Sequence, residues 1–239
     1  NTTGAYNTAV GTCSLSQNTT ASYNAAVGSY ALCKNTTGTK NAAFGYNALG
    51  NTTSGKYNTG IGYAALINNT TADTNTATGF AALYGTTTGA FNTASGYKAL
   101  TANTTGTRNT ATGKDALRDN TTGAKNSAHG MCAMVCTTTG SHNTGSGAYA
   151  LSRNTTGGWN AALGAYAMMG ATTASYNTAS GGYALRNITT GNLNTATGYN
   201  ALCGTTTGAC NTAVGSEALN KNTTGSCNVA VGFCALHCN

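Results

Sequence analysis

The chain has 239 residues, of which 48 are Thr, 33 Gly and 30 Asn, and it contains no Pro. Only 6% of positions are charged, the formal net charge is +7, and the four acidic residues are Asp73, Asp115, Asp119 and Glu217. So few carboxylates exclude most acid–base and metal-assisted enzyme chemistry, which draws on clustered Asp, Glu and His. The low charge and 40% hydrophobic content also argue against a disordered chain.

No apolar run approaches the roughly 18 residues of a membrane-spanning helix. No signal peptide is visible, and the chain starts and stops as though cut from something longer. Asn opens a unit at 7, 24, 41, 58, 75, 92, 109, 126, 143, 160, 177, 194, 211 and 228, always 17 residues apart. Residues 1–239 therefore read as a single array of N-T-A-x-G-x-x-A-L-x-x-N-T-T-G-x-x without divergent caps.

Along one unit, position 1 is always Asn and position 5 always Gly; position 8 is Ala apart from Ser14. Position 9 is Leu apart from Met134 and Met168, and position 13 is Thr in every copy. All 15 charged residues fall at positions 6, 7, 10, 11, 16 and 17, which predicts three outward corners. Position 4 mixes aliphatics such as Val10, Phe44 and Ile61 with Thr and Ser, and predicts an occasional contribution to the core.

A strict period of 17 is too short for paired helices, and two Gly per unit with many Thr and Asn disfavour a single helix. The expectation is an all-β parallel β-solenoid, or β-roll, of fourteen 17-residue coils. Burial of one Leu and two Ala per coil falls short of the ordering cost of 17 residues, so stability must come from stacking many coils, with side-by-side chains in a trimer or filament as a further source. The structural ladder is expected to include Asn7, Asn24 and Asn41 as an asparagine stack, with Leu32 and Leu49 in the core. Gly11, Gly28 and Gly45 are expected where the backbone needs positive φ or approaches too closely for a Cβ.

The run Asn41-Ala-Ala-Phe-Gly-Tyr-Asn-Ala-Leu49, and copies such as 194–202, resembles the head repeats of trimeric autotransporter adhesins and the repeats of phage tail-fibre proteins. That resemblance implies a parallel β-roll in a surface fibre, with three chains packed about one axis. It departs in coil length, because the N-T-T-G segment is extra.

Several candidate chemistries follow. Asn-x-Ser/Thr sequons at Asn1, Asn18, Asn35, Asn51, Asn68, Asn69, Asn103, Asn120, Asn154, Asn187 and Asn222 are glycan acceptors if the chain is extracellular, or simply ladder chemistry if not. Positions 12 and 14 point the same way along a strand, giving Asn/Thr-x-Thr rows of the kind that ice-binding solenoids display, or simply a polar ladder on an ordinary face. Cys210 and Cys227 occupy position 17 in successive coils, about 4.8 Å apart, which suggests a disulfide. Cys234-x-x-His237-Cys238 and His129-x-x-Cys132-x-x-x-Cys136 hold ligand residue types but lack a second half of zinc spacing, so no metal or cofactor is expected.

Lys and Arg are scattered over several positions rather than clustered, so no nucleic-acid partner is expected. Twelve of the 13 Tyr occupy corner positions 6, 7 and 17, either binding sugars or neighbouring rods, or merely fitting a half-buried β surface. The sequence points to a non-enzymatic, extracellular, self-associating structural subunit, the shaft of a filament or fibre. The alternatives are an adhesin or tail-fibre module binding surface glycans and, more weakly, an ice-binding solenoid.

Overall fold

The computed structural model describes residues 1–238. The chain divides into two compact units, Asn1–Thr122 and Gly123–Asn239, built from the same coil. In the first lie β1 (Thr8–Val10), β2 (Ala25–Val27), β3 (Ala42–Phe44), β4 (Thr59–Ile61), β5 (Thr76–Thr78), β6 (Thr93–Ser95) and β7 (Thr110–Thr112). In the second lie β8 (Ser127–His129), β9 (Thr144–Ser146), β10 (Ala161–Leu163), β11 (Thr178–Ser180), β12 (Thr195–Thr197), β13 (Thr212–Val214) and β14 (Val229–Val231). The chain is an all-β parallel β-solenoid with a 17-residue period, and no helix occurs among the described residues.

Each strand covers positions 2 to 4, and within each unit it pairs in parallel with the next, every residue facing its own copy 17 residues on. Ala26 lies opposite Ala43, and Ala162 opposite Ala179. The middle residue points inward and its neighbours outward, as the two-residue alternation of a strand requires; the interior strands from β3 onward follow this pattern. The core of a coil is accordingly small: Ala at position 3, Ala at position 8 and Leu or Met at position 9, with Leu32, Leu49 and Leu100 fully buried.

Two expectations about faces fail, each for its own reason. Position 4 does not contribute to the core: Phe44, Ile61 and Leu163 are 41%, 42% and 45% exposed. With Ala of position 3 turned inward, both flanking residues must turn out. Positions 12 and 14 do not share a face either, because this segment is a bend and strand alternation does not apply. Asn103 at position 12 is buried and Thr105 at position 14 is exposed.

The corner glycine meets both physical demands at once. Gly96 has φ +143°, and a Cβ there would fall 2.5 Å from the Gly113 carbonyl oxygen of the next coil. Three further positions per coil are left-handed without being glycine. Positions 7, 9 and 17 all have φ between 48° and 62°, including Leu100 (53°), Asp115 (55°) and the β-branched Thr74 (59°). An L-residue in that region costs about 1–2 kcal/mol, so the coil is not a conformation that 17 isolated residues would choose. Hydrogen bonds to the neighbouring coils hold it: Leu83 N–H donates to the Ala99 carbonyl at 3.0 Å, and Lys98 N–H to the Phe80 carbonyl at 2.9 Å.

Candidate functional site

Two polar ladders run along the coils. At position 1, the Oδ1 of Asn7 accepts the Asn24 backbone N–H at 2.9 Å, and the Oδ1 of Asn24 accepts that of Asn41 at 2.9 Å. Each side chain also donates through Nδ2 to a position-15 carbonyl, Asn24 to Gly38 at 2.9 Å and Asn41 to Gly55 at 2.8 Å. One amide thus joins the next coil to the corner of its own coil. Asn offers the acceptor and donor groups for this at short reach; Asp would lack the donor. At position 13, Thr104 Oγ1 donates to the Thr121 carbonyl at 3.1 Å, and Thr155 Oγ1 to the Thr172 carbonyl at 3.1 Å.

Position 12 forms a third, interrupted ladder. Asn35 Nδ2 donates to Asn18 Oδ1 at 3.1 Å and to the Gly38 carbonyl at 2.9 Å. The Oδ1 of Asn35, Asn69 and Asn154 is buried without a partner. Each of these is followed, one coil later, by a residue with no amide: Thr52, Thr86 and Ala171.

This ladder bears on the sequons. Asn18, Asn35, Asn69, Asn103, Asn120, Asn154 and Asn222 are at most 2% exposed. In Asn69, Asn103, Asn154 and Asn222 the nitrogen that would carry a glycan donates to the carbonyl three residues on. In the folded coil these seven are interior hydrogen-bonding groups, as the ladder alternative expects. Asn1 and Asn187 are exposed, and Asn51 and Asn68 half-buried. Asn51, Asn68 and Asn187 stand at position 11, one residue before the ladder. Asn-x-Thr read alone does not separate position 11 from position 12; the 17-residue phase does, although Asn1, itself at position 12, is exposed.

The nine cysteines are all free thiols in this structure, Cys210 and Cys227 among them. Both side chains are exposed and point from the same place in successive coils. Cys203 is different: burial pushes its thiol pKa up, only partly opposed by Arg186.

Corner aromatics stack on one another. Tyr46–Tyr63, Tyr63–Phe80 and Phe80–Tyr97 have ring centroids 5.3, 5.1 and 5.3 Å apart and near-parallel planes. In the second unit Tyr149, Tyr166 and Tyr183 form a like row, and Trp159 lies 4.1 Å from His142 and 6.4 Å from Tyr176. Ring faces within a row are covered by neighbouring rings, so the row offers solvent its edges.

The structure also brings together residues that the linear sequence leaves apart. Glu217 and Cys234 both occupy position 7, one coil apart, and His237 follows at position 10 of the second coil. The Cys234 thiol donates to Glu217 Oε2 at 3.8 Å, and His237 Nδ1 lies 3.5 Å from the same oxygen. Burial, then the adjacent Glu217 carboxylate, push the Cys234 thiol pKa up. The signal was the interval of 17 between Glu217 and Cys234, which a search for zinc spacing does not test.

No helix among the described residues is long and apolar enough to cross a membrane. No protein-family model, curated protein or solved structure matches the chain.

Proposed function

We propose that the chain is a non-enzymatic structural segment of an extracellular fibre, a shaft that associates with other copies of itself. The observation that carries this reading is the division of labour within the coil. The invariant residues, Asn at position 1, Gly at 5 and Thr at 13, are those whose bonds or close contacts run to the next coil. All charged residues are confined to the corners. Selection of that kind preserves a repeating scaffold and leaves its outside free to vary.

Lateral association has its own support. Sheets of parallel strands are ordinarily covered on both faces, and here the outer face of β1 to β4 carries Val10, Val27, Phe44 and Ile61, with Ala25 and Ala42 beside them. Positions 2 and 4 hold no Asp, Glu, Lys or Arg in any coil, so nothing on this face repels a second copy. The extracellular placement rests on the resemblance to surface-fibre repeats and on the sequons that remain accessible. Glycan recognition through corner Tyr is the weaker reading, since sugars stack on aromatic faces and these rows present edges.

Electron cryo-microscopy and sedimentation of the full chain, beside a Phe44→Asp/Ile61→Lys variant, test the proposal. The expected result is fibres or side-by-side assemblies in the parent and their loss in the variant, with β circular dichroism unchanged. A chain that stays monomeric at high concentration and binds a defined glycan on an array would overturn it.

A further inference from the structure

Glu217, Cys234 and His237 each offer one ligand atom, and the three atoms lie within 4.8 Å of one another. They are half-buried. Their placement follows from the coil: Glu217 N–H donates to the Tyr199 carbonyl at 2.8 Å and Cys234 N–H to the Ser216 carbonyl at 3.0 Å, which fixes both position-7 residues against the stack. His237 N–H donates to the Cys234 carbonyl at 3.3 Å within one turn, and its carbonyl accepts the Lys221 N–H at 3.0 Å. His237 Nδ1 is shielded from solvent without a hydrogen-bond partner.

We infer that Glu217, Cys234 and His237 form a binding site for a divalent cation of zinc type, with a fourth position taken by water. The geometry is close to what such an ion demands. Zinc bonds of about 2.0–2.3 Å to nitrogen, oxygen and sulfur, arranged tetrahedrally, set ligand atoms about 3.3–3.7 Å apart. The Glu217 oxygen stands 3.5 Å from His237 Nδ1 and 3.8 Å from Cys234 Sγ. The third pair, Cys234 Sγ and His237 Nδ1, lies within 4.8 Å, and rotation of these flexible side chains closes it to bonding range. Thiolate, carboxylate and neutral imidazole together neutralise a doubly charged ion. The mixture of sulfur and nitrogen favours zinc or cobalt over calcium or magnesium, which take oxygen ligands.

The test is titration of the full chain with Co²⁺, then competition with Zn²⁺. The expected result is one equivalent bound, a thiolate-to-cobalt absorption band in the near ultraviolet, and its loss on adding Zn²⁺. Cys234→Ser should abolish the band, while Glu217→Gln and His237→Ala should each weaken Zn²⁺ binding by about tenfold or more. Cys210→Ser/Cys227→Ser should leave band and affinity intact. Metal-free circular dichroism checks that each variant is folded; if Cys234→Ser is not, the isosteric Glu217→Gln carries the test. Absence of stoichiometric binding, a band that survives in Cys234→Ser, or unchanged Zn²⁺ affinity in Glu217→Gln would overturn the inference.

Discussion

At the scale of single residues, the coil is governed by which backbone conformations a side chain permits and which amide groups find partners. Gly164 has φ +136°, and a Cβ there would lie 2.5 Å from the Gly181 carbonyl oxygen; at Gly182 the nearest atom would be 3.6 Å away. Gly164→Ala should therefore destabilise by several kcal/mol, combining backbone strain with displacement of a neighbouring coil, while Gly182→Ala stays within about 1 kcal/mol of the parent. Thermal and denaturant midpoints of the pair measure the difference. The orphaned Oδ1 of Asn35 leads to the opposite kind of change. Thr52→Asn places an amide where Asn35 needs a donor and removes the unpartnered Thr52 hydroxyl. A gain of about 1 kcal/mol is expected, read as a raised midpoint; a loss would show that the coil lacks room for the longer side chain.

The element is the 17-residue coil, and much of it was legible in sequence. Charge segregation by position marked the corners, and the invariance of Asn at position 1 and Gly at position 5 marked residues dictated by backbone. The left-handed Leu at position 9 was not legible, since Leu ordinarily avoids that region and a buried Leu looks the same in any conformation. Position 12 was left between glycan acceptor and ladder residue for a related reason: Asn at a bend can face in or out, and the burial of Asn103 and Asn120 decides it. The Glu217, Cys234 and His237 cluster stayed hidden because its members become neighbours only when coils stack. At this scale the sequons make a sharp prediction. If the chain meets a glycosylation machinery, mass spectrometry of glycopeptides should find sugar on Asn1, Asn51, Asn68 or Asn187. None is expected on Asn35, Asn69, Asn103 or Asn154, where a sugar would have to enter the core. Occupancy at those buried positions in folded material would refute the assignment of faces.

For the whole molecule, stability comes from contacts between successive coils, so a lesion in one coil acts on its neighbours rather than on a distant core. The ladders are uncharged, and the pH response comes from groups beside them. Cys203 and Cys234 have thiol pKa values raised in the folded chain, so folding favours their protonated forms. The unfolded chain loses these protons first. Stability should hold below the ordinary thiol range, near about 8.5, and fall as pH rises through it. A thermal midpoint measured from neutral to alkaline pH should decline, and Cys203→Ala should reduce the slope. The same residues differ in access: alkylation should label the exposed Cys210 and Cys227 well before Cys203.

The sole tryptophan stands at position 17 of the second unit, apart from the Tyr149–Tyr183 row, 4.1 Å from His142 in one adjoining coil and 6.4 Å from Tyr176 in the other. Contact with an imidazole at that range quenches indole emission, and the quenching changes steeply with separation. Stretching or bending this part of the chain would change the spacing before any hydrogen bond broke. Trp159 is thus a built-in strain gauge, and its fluorescence under tension would report how stiff the coil stack is without any added label.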